Sequence, residues 1–218
     1  MIKNTQLFDF KESIAASLFE KYEYPWEILP HINEFILNYI EKGLEGYKKI
    51  GHNIYVGENV KISPSAVIEP PCIIGHNTEI RTGAFLRGNV ITGENCIIGN
   101  SSEIKNAILL DNVAVPHYNY VGDSILGNHS HMGAGSICSN LKSDNKAVVI
   151  HGEEDFETGI RKIGGVLADG ADIGCGCVLN PGTIIGKNTS VYPLTSLRGV
   201  YPADSIVKSP SITVKRKS

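Results

Sequence analysis

The chain carries an apolar side chain on every sixth position over long stretches, and this period constrains its fold more than any other feature. Counting in sixes from Val56 gives nine apolar residues and one threonine, and the position four residues later in each hexad is mostly small. The period returns after residue 163. The large positions are Val56, Ile62, Ile68, Ile74, Ile80, Leu86, Thr92, Ile98, Ile104 and Leu110, then Leu167, Ile173, Leu179, Ile185, Val191 and Leu197; the small positions are Val60, Ala66, Cys72, Thr78, Ala84, Val90, Cys96, Ser102, Ile108 and Ala114, then Ala171, Cys177, Thr183, Thr189 and Thr195.

A six-residue period with turn residues behind the apolar position predicts a parallel β-helix. Each hexad forms one short strand and a turn, and three hexads close one triangular coil. Residues eighteen apart then stack on neighbouring coils, about 4.8 Å from each other, so that they can act on the same small ligand. We therefore expect an all-β solenoid over residues 51–210, stabilised mainly by contacts between neighbouring coils.

The amino-terminal region follows a helical spacing instead. Apolar residues between Ile32 and Leu44 recur at intervals of three and four, and a shorter pattern of the same kind runs from Phe10 to Tyr22. We expect residues 1–50 to form an α-helical cap that covers the first coil, with an independent binding module as the alternative. Residues 211–218 are expected to form a tail.

Charge and composition favour a water-soluble cytoplasmic protein. The 218 residues carry a formal net charge of -3, which does not suggest binding to nucleic acid or to an anionic membrane. The amino terminus lacks the pattern of a signal peptide, and no segment has the length of a membrane span. Five cysteines are present, and we expect all of them to be reduced, because Cys175 and Cys177 have the wrong spacing for a zinc or redox motif.

The sixfold period is interrupted twice, at residues 116–121 and within 138–163. The second interruption is polar and charged, and a loop of that length is uncommon in a compact domain unless it has a function. The two interruptions lie about one coil apart, so they should meet near one edge of the solenoid. We place the candidate site there.

The motifs in this region resemble those of a known family. They are "FLRGN" at 85–89, "EIKNA" at 103–107, "HYNYVGD" at 117–123, "HMGAGSICSN" at 131–140 and "DNK" at 144–146. Over residues 54–208 the chain is similar to the acetyltransferase half of the bifunctional sugar-1-phosphate nucleotidylyltransferase/acetyltransferases, both bacterial and archaeal. The resemblance implies a left-handed β-helix and an acetyl-CoA-dependent N-acetyltransferase that acts on an amino-sugar 1-phosphate.

The resemblance also implies roles for individual residues. His117 matches the general base that takes a proton from the sugar amine, a task that suits an imidazole. Arg87 and Lys105, eighteen residues apart, match a pair that grips the sugar phosphate. With no carboxylate expected between them, these stacked cations would repel each other unless an anion joined them. Tyr120, Asn140 and Lys146 match the remaining phosphate and sugar contacts.

For the acetyl-CoA donor, Ala134, Cys175 and Pro193 fall at positions that line the pantetheine groove in the family, and Arg198 is a candidate partner for the nucleotide phosphates. The family forms homotrimers with sites between neighbouring subunits. The chain departs from the bacterial pattern at His131. In the bacterial enzymes of the family an asparagine occupies this position and touches the sugar. It also lacks the upstream nucleotide-transfer domain, so that we do not expect it to make a nucleotide sugar by itself.

Three alternatives remain open at this point. One is a β-helix metal enzyme of the carbonic-anhydrase type, with His117, His129 and His131 as ligands, of which the last two would alternate onto one face of a strand. Our preferred interpretation assigns no metal. Another is a non-catalytic sugar-phosphate-binding partner of a nucleotidylyltransferase. The third retains acetyl-CoA but has a nucleotide-linked amino sugar or an O-acetyl acceptor.

Overall fold

The structure is a computed structural model that describes residues 2–216. Short parallel strands wind into a three-faced β-helix, which confirms the predicted fold class. The first face contains Ile54–Val56, Cys72–Ile74, Val90–Thr92, the ends of Glu103–Leu109 and Tyr120–Leu126, Gly165–Leu167, Thr183–Ile185 and Val200–Tyr201. The second contains Lys61–Ile62, Glu79–Ile80, Ile97–Asn100, Ala114–His117, His131–Met132, Asp172–Ile173, Ser190–Val191 and Ser205–Ser209. The third contains Val67–Glu69, Phe85–Arg87, the beginnings of Glu103–Leu109 and Tyr120–Leu126, Ile137–Cys138, Val178–Leu179 and Ser196–Leu197.

The interior of the coils is filled by the large and small positions of the hexads. Leu86, Ile98 and Ile104 are fully buried, and the small thiols of Cys72 and Cys96 fill the gaps beside them. Such a thiol behaves as a compact apolar side chain. All five cysteines are unpaired in the structure, and Cys175 alone among them is exposed.

The sixfold count is wrong by one residue beyond Ile104. The inward-facing residues there are Ala107, Leu109 and Val113 rather than Ile108, Leu110 and Ala114. The coils shorten from eighteen residues to seventeen, since Val90 pairs with Ala107 and Ala107 with Ser124.

The shortening occurs where Glu103–Leu109 and Tyr120–Leu126 run through a corner of the prism. Asn106 and Asp123 make the tight bend with left-handed backbone angles, φ 47° and 48°. Val115 and Val121 are both buried in the coil interior, six residues apart, so the period is intact across 116–121. The interruption predicted for this segment is therefore wrong, and the register changes two corners earlier, at Asn106.

The helices are Asn4–Leu7, Ala16–Lys21, Pro25–Ile28 and Ile32–Glu41, with a 3-10 turn at Leu29–His31. The expectation that they cover the first coil is wrong, because they lie along the outside of the first face. The middle residue of each strand on that face points outward and is apolar, so a long stripe would face water without the helices. The buried residues of this stripe are Ile73, Ile91, Ile108, Ile125, Val166 and Ile184. None of the helices within residues 2–216 is long and apolar enough to cross a membrane.

The inserted loop leaves the coils at Cys138 and returns at Gly165. Strands on either side still stack, because Cys138 pairs with Leu179 across a separation of 41 residues. The loop carries a small antiparallel hairpin, Val149–His151 and Asp155–Glu157.

Both ends of the solenoid carry an antiparallel strand. Lys48–Gly51 pairs with Ile54–Val56 at one end, and Ile212–Lys215 pairs with Ser205–Ser209 at the other. Residues 212–215 of the expected tail therefore form a strand, which covers the last strand of the second face. Residues 217–218 of that tail lie outside the described residues.

Candidate functional site

One corner of the prism, between the second and third faces, aligns His117 with three of the residues predicted to line a cofactor groove. Amide groups of consecutive coils connect them: Gly135 N–H donates to the His117 carbonyl, Gly176 N–H to that of Ala134, and Leu194 N–H to that of Cys175. His117, Ala134, Cys175 and Pro193 therefore occupy equivalent positions on successive coils. We call this column the His117 corner.

The backbone at the His117 corner is held by a buried asparagine that the sequence analysis did not single out. Asn119 is 3% exposed, and its Oδ1 accepts a hydrogen bond from the His117 N–H at 3.0 Å. Its Nδ2 donates to the carbonyl oxygens of Gly133 and Ser136. Tyr118 takes a left-handed angle, φ 52°. This turn leaves the side chains of His117 and Tyr118 exposed, free for contact with a ligand or another subunit.

A second polar cluster lies at the corner between the third and first faces. Asp123 is 5% exposed and accepts hydrogen bonds from Lys105 Nζ to both carboxylate oxygens at 3.2 Å. Asn106 Nδ2 donates to Asp123 Oδ1 at 2.9 Å, and Asn140 Nδ2 donates to Oδ2 at 2.5 Å. Asn140 Nδ2 also reaches Tyr120 Oη at 3.2 Å. The structure thus brings together Lys105, Tyr120 and Asn140, and we call this group the Asp123 cluster.

The expectation that no carboxylate stands between Arg87 and Lys105 is wrong. Arg87 Nη1 donates to Glu103 Oε1 at 2.5 Å, and Lys105 pairs with Asp123. Glu103 stacks on Phe85 and so lies on the same face as Arg87. Because each cation already has an anionic partner, the pair does not by itself require a bound anion. An incoming phosphate would share these two cations with Glu103 and Asp123.

The charged neighbours also affect Tyr120. Burial raises the pKa of the Tyr120 hydroxyl, and the carboxylates of Asp123 and Glu103 raise it further. The hydrogen bond from Asn140 and the charge of Arg87 lower the pKa but do not reverse the shift. The phenol therefore keeps its proton at neutral pH, so that it can donate a hydrogen bond.

His131 and His129 do not form the arrangement that a metal site would need. His131 Nδ1 lies 2.8 Å from Asp172 Oδ1 on the second face. His129 lies in the preceding turn, with φ 58°, rather than on the strand His131–Met132. The expected alternation of the two histidines on one strand is therefore wrong. Within residues 2–216 no group of three His, Cys, Asp or Glu side chains could hold a metal ion.

Like Arg87 and His131, the predicted residues Lys146 and Arg198 lie outside both groups. Lys146 is exposed in the inserted loop, where its backbone N–H donates to Asp144 Oδ1 at 3.1 Å. Arg198 is exposed on the third-face side of the solenoid, and its Nη2 lies 2.8 Å from His151 Nε2. It borders a cavity of about 510 Å³ between the loop and the last coils, lined by Ser139, Leu141, Lys142, Ser143, Asp144, Val149, His151, Asn180, Pro181 and Arg198.

The fold defines the class of protein. A parallel β-helix built from hexads is the architecture of the hexapeptide-repeat proteins. Comparisons with known proteins show which members of this class the chain is similar to. The family model described as the EIF2B subunit epsilon LbH domain matches residues 51–153.

The sequence similarity confirms the predicted resemblance. The chain is 35% identical over 200 residues to the bifunctional protein GlmU of Methanococcus aeolicus, a match covering 88% of this chain and 48% of the relative. It is 30% identical over 88 residues to the bifunctional sugar-1-phosphate nucleotidylyltransferase/acetyltransferase of Sulfurisphaera tokodaii, covering 40% of this chain and 22% of the relative. The chain therefore spans about half the length or less of these curated relatives.

Among solved structures, PerB from Caulobacter crescentus in complex with CoA and GDP-perosamine is similar to this chain. The superposition has a TM-score of 0.44 and 19% sequence identity. It covers 71% of this chain and 56% of the other.

Proposed function

We propose that the chain is an acetyl-CoA-dependent N-acetyltransferase that acts on an amino-sugar 1-phosphate, with glucosamine-1-phosphate and galactosamine-1-phosphate as the first candidates. The observation that carries this proposal is the placement of His117 and the Asp123 cluster at the two corners that flank the third face. Tyr120 follows His117 by three residues and joins the Asp123 cluster. The name of one relative, a bifunctional sugar-1-phosphate nucleotidylyltransferase/acetyltransferase, supports an acetyltransferase activity.

In the proposed reaction the amino group of the sugar attacks the thioester carbon of acetyl-CoA. A C–N bond forms, and the proton released from nitrogen passes to the His117 imidazole. The C–S bond then breaks, and the proton is returned to the departing CoA sulfur. The exposed imidazole is free for this role, since no side-chain hydrogen bond engages it within residues 2–216.

The donor would lie along the His117 corner. Ala134, Cys175 and Pro193 form a column above His117, so a pantetheine arm running along this corner would deliver its thioester to the imidazole. Arg198 belongs to another corner, and in this proposal it meets the nucleotide phosphates only where a neighbouring subunit completes the groove. The roles of His131 beside the sugar and Lys146 beside the phosphate remain part of the same proposal.

We also propose that the protein is a homotrimer with sites between subunits. Apolar side chains are exposed at the His117 corner, where a second copy would cover them. Tyr118 is 66% exposed and Leu194 is 84% exposed, and both take left-handed backbone angles. A residue other than glycine costs roughly 1–2 kcal/mol at a left-handed backbone angle, and contacts with a second copy would offset that cost.

The first test is release of free CoA from acetyl-CoA with each of the two sugar phosphates. We expect the His117→Ala variant to lose turnover by about a hundredfold or more, because general base catalysis contributes on this scale. Binding of the sugar phosphate, measured by calorimetry, should be retained. The matched control is His129→Asn, since His129 is exposed in a left-handed turn that asparagine also accepts.

Turnover that is indifferent to His117 would refute the base assignment. Binding of the sugar phosphate by native protein without any CoA release would instead favour a non-catalytic sugar-phosphate-binding partner. A nucleotide-linked amino sugar as the preferred acceptor would keep the transferase and change the substrate.

A further inference from the structure

The carboxylate of Asp123 is buried, and the proposed reaction assigns no role to it. Its side chain is 6% exposed, and it sits in the tight corner that shortens the coil to seventeen residues. Its backbone angle, φ 48°, aims the carboxylate back across the corner toward Lys105, Asn106 and Asn140. A buried carboxylate with three donors is held in one orientation, because each lost partner would leave a desolvated charge.

The orientation of the Asn140 amide follows from Asp123. Its Nδ2 atom has two hydrogens, of which one points to Asp123 Oδ2 and the other to Tyr120 Oη. The reversed amide would place an oxygen against the carboxylate and is excluded by repulsion. The Asn140 Oδ1 atom is therefore left as a free acceptor among the described residues.

The orientation of the Asn140 amide in turn determines whether the Tyr120 hydroxyl donates or accepts toward a ligand. Its oxygen accepts a hydrogen bond from Asn140, so its own O–H hydrogen remains available to a ligand. Lys105 has three hydrogens and uses at most two on Asp123, which leaves at least one for a ligand. The site thus presents two donors, from Tyr120 and Lys105, beside one acceptor, from Asn140.

We propose that Asp123 is a positioning residue that sets the hydrogen-bond polarity of the acceptor site. It fixes the donors of Tyr120 and Lys105 for a phosphate oxygen and the acceptor of Asn140 for a hydroxyl or ammonium group on the same sugar. This inference rests on the proposed function for the identity of the ligand. An amino-sugar 1-phosphate carries both kinds of group.

The test is Asp123→Asn, in which asparagine suits the left-handed angle and keeps the shape of the side chain. We expect the dissociation constant of glucosamine-1-phosphate, measured by calorimetry, and its KM to rise about tenfold to a hundredfold, as for loss of charge-assisted hydrogen bonds. The KM for acetyl-CoA should change less than about twofold. The matched control is Asp111→Asn, where the carboxylate accepts the Glu94 N–H in a different turn.

A second variant separates polarity from structural support. The exchange Asp123→Asn with Asn140→Asp restores an amide–carboxylate pair and should recover the thermal stability of the native protein. However, the carboxylate introduced at position 140 cannot donate to Tyr120. The Tyr120 hydroxyl then donates its hydrogen to that carboxylate and can no longer donate it to the phosphate. We expect sugar-phosphate binding to stay as weak as in the single variant.

Recovery of both stability and binding in the exchanged variant would overturn the inference. Tighter sugar-phosphate binding in Asp123→Asn would also overturn it, since Asp123 would then only compete with the phosphate for Lys105. Native protein that binds the sugar phosphate without releasing CoA would refute the transferase, while the binding ratios would still decide the role of Asp123.

Discussion

The thiol groups differ sharply in their surroundings, although the chain spaces several of them on the same hexad position. Burial raises the pKa of Cys72, Cys96 and Cys138 to about 12, and it also raises that of Cys177. A thiol with a pKa near 12 is ionised to about one part in ten thousand at pH 8. Cys175 is exposed at the His117 corner.

We therefore expect one fast-reacting thiol in the native protein and five after unfolding, measured with an aromatic disulfide reagent at pH 8. The Cys175→Ser variant should lose the fast phase. Acetyl-CoA should slow the reaction of Cys175 if it occupies the proposed groove. A second fast thiol in the folded protein would contradict the packing described for the coil interior.

For single residues, the sequence motifs identify candidate ligand-binding side chains but not the hydrogen-bond partners of those side chains. The structure places Lys105, Tyr120 and Asn140 together around Asp123, and their roles as ligand contacts stay a prediction. Asn119 and Glu103 were not anticipated, because their roles depend on which atoms face each other across a coil. The one-residue shortening of the coils moves these neighbours, and a count in sixes does not include it.

The helices and the coils form one packing unit rather than a solenoid with a lid. The outward stripe on the first face was present in the sequence as isoleucine or valine at the middle of successive strands, for example Ile73, Ile91 and Ile108. A strand buried on both faces is apolar at consecutive positions. The sixfold count follows only the inward residue, which is why it predicted the solenoid and misplaced the helices.

The packing can be tested by Ile108→Ala, which removes a fully buried side chain beneath the helices. We expect the free energy of unfolding in urea to fall by about 2–4 kcal/mol, the usual cost of such a cavity. The matched control is Ile50→Ala, because Ile50 is 46% exposed and its loss should cost less than about 1 kcal/mol. Equal losses in the two variants would show that the helices do not bury this face.

The inserted loop is tied to the helices by aromatic contacts. Phe156, on the loop hairpin, lies 5.8 Å from Tyr24 and 6.0 Å from Trp26 between ring centroids. Aromatic pairs at this distance contribute beyond their buried area. The amino-terminal region therefore supports the loop that carries Asn140 and Lys146, a contact between distant segments that hexad periodicity does not predict.

On the scale of the whole molecule, the proposed trimer depends on the exposed corner. Leu194 has φ 61° and is 84% exposed, so Leu194→Asn relieves backbone strain while removing an apolar contact. We expect the variant to fold as stably as the native chain or better but to sediment as a smaller species and to lose turnover. Native protein should sediment at about three times 23.6 kDa.

Sedimentation velocity with parallel CoA-release assays decides this point. An active native protein that sediments as a monomer would refute the trimer and the shared groove together. A Leu194→Asn variant that remains trimeric would exclude this side chain from the interface.

The strand pairing across the inserted loop also affects how the chain can fold. Most neighbouring coils pair across seventeen or eighteen residues, but Leu126 meets Leu167 across 41. Closing the longer segment costs about 0.7 kcal/mol more in chain entropy, and the loop must also be ordered. Coils before Cys138 and after Gly165 can each propagate by short closures and then dock. Since Gly164 N–H donates to the Asp123 carbonyl at that junction, the docking of the two halves also fixes the backbone of the corner that carries Asp123.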